Sequence, residues 1–523
     1  MAATLTQLLE ESATRWPRQV ALSEGSGDRA ISYRHLGDLA ADLAGQLRRH
    51  GIAAGDPVAI VSDICIEHVL ALFAVLAAGG CAAPLNPALA AQQLISRLGD
   101  VRARAVIVPE HLYGDFASTH AAVELPVLTL AVTPGRDGCC YATLSSAPLL
   151  GHGRGPGQTR GLEPPHPGDA AILMLTSGTT AAPKVVPLTD ANLLASIDGI
   201  RSIYQLTPAD ATLLVMPLFH GHGLIAGLLA TLASGGAGIM PAGGRFHAGT
   251  FWQQMAAARA TWYTAVPTIH QILLDRAGSE YPAGGYPDLR FVRSCSAPLA
   301  PAVQQDLETA FSAPVLQAYG MTETAHQVAS NPLPANGPDK TASVGIPTGT
   351  QVQVTRPDGK PGEAGETGEI WIRGAAVTSG YLGNRQATAD SFTAGWFRTG
   401  DLGQKDADSY LFLTGRIKEI INRGGEKISP AAVDQILQSN PGVEDALSFG
   451  VPDKEYGEDI RAAVVLRPGH AVTEAELKDY SRSRLSPFEV PKRIFFVARL
   501  PRTEKGTGDR RRLAALLEAR EKL

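Results

Sequence analysis

One stretch of this sequence, residues 172–189, combines hydroxyl side chains with a single lysine and reads ILMLTSGTTAAPKVVPLT. An apolar run that is typical of a buried strand gives way to hydroxyl residues around Gly178, and Lys184 follows six residues later. Such a loop suits phosphate, because backbone N–H groups and hydroxyls donate to phosphate oxygens and a lysine adds positive charge. The GxxxxGK[ST] pattern of a Walker loop is absent. The stretch predicts a phosphate-binding loop of another type; the alternative is a polar connection from a strand to a helix.

Three later stretches carry further groups that suit a nucleotide and a metal ion. They are QAYGMTETAHQ (317–327), GWFRTGDLG (395–403) and TGRIKEIINRGGEKISP (414–430). Their candidate residues are Tyr319, Thr322, Glu323, Asp401, Arg416 and Lys418. Each has a structural alternative when taken alone, since a tyrosine can fill a core and charged residues commonly face solvent.

Together with TSGTTAAPK, these stretches resemble the ordered motifs of the adenylate-forming superfamily, which contains acyl-CoA synthetases, nonribosomal adenylation domains and luciferases. The resemblance extends over essentially the whole chain. Further segments resemble the oxalate–CoA ligases of plants and fungi. These segments are PLFHGHGLIAGLLATL, GRFHAGTFW, TWYTAVPTIHQILLDR, RSCSAPLAP and SNPLPANGPDK.

The resemblance implies that ATP binds between the hydroxyl-rich loop and the later stretches. The loop is expected to hold the β- and γ-phosphates, Tyr319 to stack on adenine, and Thr322 to contact the α-phosphate. Asp401 is expected to accept hydrogen bonds from both ribose hydroxyls. The implied nucleotide-binding residues are Thr176, Ser177, Gly178, Thr179, Thr180, Lys184, Ser296, Ala297, Pro298, Tyr319, Gly320, Thr322, Asp401 and Arg416.

The implied reaction has two steps. A carboxylate attacks the α-phosphorus of ATP and expels pyrophosphate, and a nucleophile, commonly the CoA thiol, then attacks the activated carbon of the mixed anhydride. Positioning and charge neutralisation supply the rate of such a reaction. Lys184 and His220 are the expected catalytic residues, and Glu323 is the expected ligand of Mg²⁺, which prefers carboxylate and phosphate oxygens. Lys418 is the expected hinge about which a small C-terminal domain rotates.

The expected acid pocket is unusually polar. It contains His220, His222, Ser296 and His326, where a long-chain ligase would need an apolar tunnel. Directed donors of this kind suit a small, strongly hydrated anion that loses its water on binding. We therefore expect a small acid or oxyanion as the substrate, with oxalate the first candidate. His220 also has a structural alternative, because many members of the superfamily carry it.

The chain departs from the family pattern near its end. Members usually close with P-K-T-x-x-G-K, whose last lysine bridges the acid and the AMP phosphate, whereas this chain has PRTEKGTGDRRR (501–512). Thr507 stands at the position of that lysine, and Lys505 lies two residues earlier. Losing such a contact costs about 3–4 kcal/mol in transition-state stabilisation. Loss of function, substitution by Lys505, and a substrate that does not need the lysine all remain open.

This departure leaves three functional hypotheses. The first is an oxalate–CoA ligase that uses ATP, Mg²⁺ and CoA. The second is a diazotase-like enzyme that adenylates nitrite and transfers it to an aryl amine without CoA. The third is a non-catalytic nucleotide-binding homologue. Pyrophosphate release from small acids, measured with and without CoA, separates them.

The elements that must position these residues follow a βα alternation through the first several hundred residues. This pattern predicts an α/β fold with two mainly parallel, helix-flanked sheets. A β-rich, β-barrel-like subdomain is expected over about 344–415, with a turn at Asp358–Gly359. We expect an ATP- and acid-binding domain over 1–415 and a small, mobile α+β domain over 416–523.

Composition excludes several other classes of function. The chain has 523 residues and a net charge of −5, which does not favour nucleic acid or membrane surfaces as partners. Five cysteines show no metal-ligand spacing and indicate reduced thiols. Charged residues near the N-terminus argue against a signal peptide, and glycines interrupt the apolar stretch 223–244. We expect a cytoplasmic protein, monomeric or homodimeric, without a membrane-spanning segment.

Overall fold

The computed structural model describes residues 2–25, 29–119, 121–134, 140–147, 169–176, 183–338, 340–503 and 508–521. Within those ranges no helix is both long and apolar enough to span a bilayer. Of the cysteines there, Cys65, Cys81 and Cys295 are buried free thiols, and Cys140 is also buried.

The first large sheet has seven strands in the described part of the chain and is mainly parallel. Antiparallel pairs close it at both edges. Its inner strands are continuous apolar runs, as expected for strands that helices cover on both faces. In spatial order the strands are Cys140–Ser146, Val127–Pro134, Ala105–Pro109, Pro57–Val61, Cys81–Leu85, Ala170–Leu175 and Val185–Thr189.

The second large sheet has nine strands along one path, with a parallel centre. Its edges are antiparallel. In spatial order the strands are Ile346–Pro347, Ala329–Ser330, Val315–Tyr319, Phe291–Ser294, Trp262–Ala265, Ala211–Leu213, Ala237–Met240, Val20–Glu24 and Ala30–Ser32.

Helices join the strands of these sheets, and several of them share one apolar core with both sheets. The helix Ile66–Ala77 is buried along almost its whole length, which explains its lack of a polar face. The helices are Leu5–Arg15, Tyr33–Arg49, Ile66–Ala77, Ala91–Asp100, Glu110–Thr119, Asp190–Ile203, Ala230–Ala233, Ala248–Ala257, Pro267–Asp275, Ala277–Glu280, Pro301–Phe311 and Arg385–Ser391, with a π-helical segment at His222–Leu229.

A smaller antiparallel sheet follows the second large sheet. Its strands are Gln351–Thr355, Gly368–Arg373, Phe392–Thr393, Trp396–Lys405 and Leu411–Arg416. Arg356 and Gly359 close a turn through a backbone hydrogen bond of 2.9 Å, at the predicted Asp358–Gly359 position. Gly359 has a φ of 83°, a left-handed conformation that glycine adopts without strain.

The C-terminal part forms a separate sheet with its own apolar core. Its strands are Ile421–Arg423, Glu426–Ile428, Val443–Asp453, Gly457–Leu466 and Arg493–Phe496, and its helices are Pro430–Gln438, Glu474–Arg482 and Arg510–Glu521. The sequence boundary at 415–416 falls on the last residues of the strand Leu411–Arg416. The mobility of this part stays a prediction.

Candidate active site

The phosphate-binding loop predicted from the sequence connects two antiparallel strands, Ala170–Leu175 and Val185–Thr189. Its two ends are held together, because the Lys184 N–H donates to Thr176 Oγ1 at 3.0 Å and the Thr176 N–H donates to the Lys184 carbonyl at 2.9 Å. The strand-to-helix alternative is therefore wrong, since the chain turns back into a strand. The loop residues Ser177, Gly178, Thr179 and Thr180 lie outside the described residues.

Lys184 lies beside a tyrosine that sequence reasoning missed. Its Nζ is 4.2 Å from the ring centroid of Tyr381, a cation–π geometry. The Tyr381 hydroxyl donates to Glu323 Oε1 at 2.8 Å. Burial, and secondarily the carboxylate of Glu323, raise the pKa of Tyr381, so the hydroxyl stays a donor. Tyr381 therefore contacts both Lys184, the predicted phosphate-binding lysine, and Glu323, the predicted metal ligand.

The position of Tyr381 follows from the segment that carries it. The Leu382 N–H donates to the carbonyl of Val185 at 2.9 Å, and Thr378 Oγ1 donates to the carbonyl of Pro187 at 2.8 Å. The segment thus lies along the strand that begins just after Lys184. An additional contact comes from the Thr378 N–H, which donates to the carbonyl of Glu323 at 2.8 Å.

A second group of predicted residues meets at Asp401. The Tyr319 hydroxyl donates to Asp401 Oδ2 at 2.6 Å, and Arg416 Nε lies 2.9 Å from Asp401 Oδ1. Burial raises the pKa of Tyr319 well above its ordinary value, and the adjacent carboxylate acts in the same direction. Asp401 lies on one strand and Arg416 on its antiparallel neighbour, where the two residues are register partners. A carboxylate has about four lone-pair sites, so these contacts leave acceptor capacity for ribose hydroxyls.

Gly320 brings the end of the strand Val315–Tyr319 close to His326, one of the residues predicted to line the acid pocket. A Cβ at this position would lie 1.4 Å from the carbonyl oxygen of His326, a distance at which no side chain fits. The next residues form a short 3₁₀ turn, Thr322–Thr324. Ala325 and His326 follow with φ values of 46° and 85°. Non-glycine residues in this left-handed region cost free energy and cluster at functional sites.

The acid pocket assembles three of its four predicted residues around His222. His222 Nδ1 lies 3.0 Å from Ser296 Oγ, and the ring of His326 stacks on that of His222 at a centroid distance of 5.1 Å. Ser296 is exposed and has a φ of 73°, whereas His222 is buried at the start of the π-helical segment. Burial lowers the pKa of His222 well below its ordinary value, with smaller effects from His326 and Arg293, so the ring is neutral.

His220 occupies the turn before this segment. Its backbone N–H donates to the carbonyl of Pro217 at 3.2 Å, and its carbonyl accepts from the Leu224 N–H at 2.9 Å. Its ring packs edge-on against Phe219, with centroids 4.6 Å apart. These contacts agree with the structural role that the sequence left open, and its catalytic role stays a prediction.

Two residues behind the pocket were missed by sequence reasoning. Thr264 Oγ1 lies 2.6 Å from His222 Nε2, and Arg293 NH1 donates to the same hydroxyl at 3.0 Å. Arg293 is fully buried on the strand Phe291–Ser294. A charge inside an apolar four-residue strand was the available sequence signal.

Residues near the C-terminal departure are tied to the small sheet by Arg510. Its guanidinium lies 3.0 Å from Glu419 Oε2 and 2.7 Å from Asp434 Oδ2, and it donates to the carbonyl of Ser448 at 2.6 Å. Lys418, the predicted hinge residue, belongs to the same short turn as Glu419. Lys505 and Thr507 lie outside the described residues.

A second cluster with metal-ligand chemistry lies in a different cleft of about 650 Å³. Ligand atoms of Asp63, Cys65 and His111 lie within 4.8 Å of one another. His111 Nε2 is 3.6 Å from Asp63 Oδ1. None of the residues that line this cleft belongs to the set predicted from the sequence.

The fold and this site define an adenylate-forming enzyme. The family model of AMP-binding enzymes matches residues 9–382, and the model of the AMP-binding enzyme C-terminal domain matches 432–507. The chain belongs to the AMP-binding enzyme family and is an ATP-dependent, AMP-forming ligase of the acid–thiol type. The predicted superfamily and fold class are confirmed, including the two mainly parallel sheets and the small C-terminal domain.

Full-length relatives and solved structures support the same assignment. The chain is 45% identical to an oxalate–CoA ligase of Arabidopsis thaliana, over 98% of each chain. It is 36% identical to a sulfoacetate–CoA ligase of Cupriavidus necator, over 98% of this chain and 97% of the relative. The crystal structure of ATP-bound MatB from Rhodopseudomonas palustris superposes with a TM-score of 0.85 at 28% identity, over 99% of each chain.

Proposed function

We propose that this ligase adenylates oxalate and transfers the oxalyl group to CoA. The observation that carries the proposal is the acid pocket, where His222, Ser296 and His326 offer polar groups in front of the buried guanidinium of Arg293. A small dianion needs such donors once water is removed, whereas an apolar acyl chain would leave them unsatisfied. The name of the 45% identical relative supports the same substrate.

The nucleotide is proposed to bind across the two clusters described above. Lys184 and the loop that follows Thr176 neutralise the β- and γ-phosphates. Tyr319 presents its ring to adenine, and Asp401 accepts from the ribose hydroxyls. The remaining predicted contacts lie nearby in the fold. Gly320 and Thr322 follow the strand that ends at Tyr319, and Arg416 lies on the neighbour of the strand that carries Asp401. Ala297 and Pro298 follow the strand Phe291–Ser294.

Glu323 is proposed to coordinate Mg²⁺. Glu323 is half-buried and lies in the short turn that follows the strand Val315–Tyr319. Its carboxylate is the type of ligand that this cation prefers. Tyr381 donates to only one of its oxygens at 2.8 Å, which fixes the orientation of the carboxylate. When bound, Mg²⁺ neutralises charge on the phosphates.

The chemistry follows from this arrangement. One carboxylate oxygen of oxalate attacks the α-phosphorus, the bond to the bridging oxygen breaks, and pyrophosphate leaves with both bonding electrons. The thiolate of CoA then attacks the oxalyl carbon and AMP leaves. The protein contributes positioning and electrostatic stabilisation, which suffice for this kind of transfer.

Lys505 is proposed to take over the role of the lysine that Thr507 replaces, which is to bridge the acid and the AMP phosphate. Lys505 lies five residues before Arg510 in the sequence, and ion pairs of Arg510 hold the start of the helix Arg510–Glu521 in place. Two variants test this role. Lys505→Ala should reduce oxalate-dependent pyrophosphate release by about 10²–10³-fold, the effect of losing one oriented cation. Thr507→Lys should restore activity in that background.

The substrate and acceptor are tested by one screen. Pyrophosphate release is measured with oxalate, sulfoacetate, malonate and nitrite, each with and without CoA and with an aryl amine. Release with oxalate, followed by AMP formation that requires CoA, is the expected result. Nitrite- and amine-dependent AMP formation without CoA would establish the diazotase-like alternative. ATP binding without pyrophosphate release from any acid would establish a non-catalytic homologue.

A further inference from the structure

Arg293 is the largest charged side chain with no exposed surface in the described part of the chain. It is held by hydroxyl, imidazole and amide groups, and the buried thiol of Cys295 also contacts it. Nε donates to the Tyr204 hydroxyl at 2.9 Å and NH1 to Thr264 Oγ1 at 3.0 Å, while NH2 contacts His326 Nε2 at 3.1 Å and donates to Gln327 Oε1 at 2.9 Å. Every nitrogen of the guanidinium therefore has a fixed orientation.

No aspartate or glutamate among the described residues forms an ion pair with Arg293. Buried cations are normally paired with carboxylates, because burial without a counter-charge is costly. Arg290, just before the same strand, follows that rule through its ion pair with the buried Asp210. No carboxylate in the described part of the chain therefore compensates the charge of Arg293.

Hydrogen bonds lead from this charge to the open side of the pocket. Thr264 Oγ1 accepts from Arg293, which favours donation of its own hydroxyl proton to His222 Nε2 at 2.6 Å. His222 Nδ1 then carries the proton that is directed to Ser296 Oγ at 3.0 Å. Ser296 is exposed, so this path ends where a ligand can reach it.

The second path leads through His326. A guanidinium can only donate, so His326 Nε2 must be the acceptor and the proton must lie on Nδ1. His326 stacks on His222 at 5.1 Å. Arg293 thus orients both imidazoles as neutral donors and adds a positive charge behind them.

We propose that Arg293 is the positioning residue that makes this enzyme select small dianions over monoanions of the same shape. A dianionic acid has a second carboxylate besides the one that attacks ATP. This second negative charge acts as the counter-charge of Arg293, for which no carboxylate of the described residues is present. The proposal rests on the proposed function, because it assumes that the acid occupies the pocket at Ser296, His222 and His326. The inference differs from the proposed function because it concerns the charge of the acid that the enzyme selects, and not which acid it is.

The test compares oxalate with oxamate, in which an amide replaces the distal carboxylate at nearly equal size. The readout is the ratio of kcat/KM for the two acids in pyrophosphate release. Arg293→Gln is expected to reduce kcat/KM for oxalate by about 10–100-fold, as for unit charges roughly 6–8 Å apart at an effective dielectric constant near 20. The value for oxamate should change much less. Arg293→Lys should keep most of the preference for oxalate.

A second variant removes the net charge without removing the side chain. Gln327→Glu places a carboxylate where Gln327 Oε1 now accepts from Arg293, with almost no change in volume. This variant should reduce the preference for oxalate in the same direction even where Arg293→Gln does not fold. Arg290→Gln is the matched control, because that arginine is already paired, and it should leave the oxalate-to-oxamate ratio at the wild-type value.

The outcomes separate this inference from the proposed function. An equal loss on both acids in Arg293→Gln and Gln327→Glu would show a merely structural role and overturn the inference, although oxalate would remain the substrate. If the wild type uses malonate in place of oxalate, the proposed substrate is wrong, and malonate compared with malonamate decides the inference. A wild type that turns over no dianion would overturn both.

Discussion

At the scale of single residues, the proposed nucleotide site centres on the carboxylate of Asp401. Asp401 accepts from Tyr319 and pairs with Arg416, and it is only 4% exposed. Its buried position makes any hydrogen bond to ribose charge-assisted and protected from water.

Replacing this carboxylate by its neutral isostere tests that assignment. Asp401→Asn should raise the KM for ATP by about 10–100-fold, since a hydrogen bond to a charged group is worth about 1.5–3 kcal/mol. Steady-state kinetics at saturating oxalate give the value. Asp406→Asn is the control: Asp406 follows the strand that carries Asp401 and pairs with Lys340, so its loss should leave the KM for ATP unchanged. An unchanged KM in Asp401→Asn would contradict the assignment.

Buried histidines make stability depend on pH. Burial lowers the pKa of His68 and His270 from 6.5 to about 4. The unfolded chain therefore binds more protons than the folded one between those values, so stability is fully present above pH 6.5 and falls as the pH drops towards 4.

This linkage gives a prediction for the unfolding free energy. His68 and His270 should each lower the free energy of unfolding by about 1–2 kcal/mol when the pH falls from 7 to 5. Denaturant titrations at the two pH values measure the sum, to which the buried His222 also contributes in the same direction. His270→Gln should flatten the pH dependence by its own share, and an unchanged dependence in that variant would show that His270 does not carry it.

At the scale of elements, two backbone segments approach closely between the proposed adenine-binding residue Tyr319 and the proposed acid-binding residue His326. Gly320 follows the strand Val315–Tyr319 and abuts the carbonyl of His326. His326 lies in the loop that leads to Ala329–Ser330, an antiparallel partner of the same strand.

The methyl group that Gly320→Ala adds should push these two backbone segments apart. Gly320→Ala is expected to destabilise the protein by several kcal/mol or to raise the KM for both ATP and oxalate, because a backbone oxygen cannot move aside as a flexible side chain can. Thermal melts and steady-state kinetics check it. Gly114→Ala is the control: this glycine lies inside the helix Glu110–Thr119 with open space around it, so alanine should be neutral or stabilising by about 0.5–1 kcal/mol. Wild-type behaviour of Gly320→Ala would refute the close approach.

The sequence allowed the alternation of strands and helices to be predicted, because apolar runs and helical periodicity are local properties. The same holds for Tyr319, Glu323 and Asp401, which lie in short contiguous motifs. Tyr381, Thr264 and Arg293 were missed for a physical reason: each acts through a contact with a residue far away in the chain. The residues next to Tyr381 in the sequence do not indicate that its ring packs against Lys184 in the folded chain.

At the scale of the whole molecule, Arg510 ties three parts of the C-terminal region together. It links the turn that holds Glu419, the helix that holds Asp434 and the strand that holds Ser448. Burial raises the pKa of Asp434, and the guanidinium of Arg510 acts in the opposite direction.

Breaking this pair should loosen the C-terminal region selectively. Arg510→Ala is expected to destabilise it by about 3–5 kcal/mol, the usual result of leaving one buried charge unpaired. Scanning calorimetry or limited proteolysis should show early unfolding of the region that begins near residue 416, with the N-terminal part still folded. The exposed Arg512 is the matched control, and Arg512→Ala should behave as the wild type does. A single transition at the wild-type temperature in Arg510→Ala would refute this role.

The first half-reaction is the central claim, and one measurement tests it most directly: isotope exchange between pyrophosphate and ATP in the absence of CoA. Exchange that requires both oxalate and Mg²⁺, and that Lys184→Ala abolishes, is the predicted result, because only reversible formation of an oxalyl adenylate returns labelled pyrophosphate to ATP. Exchange that is equally fast without oxalate, or absent at saturating oxalate and ATP, would contradict the account.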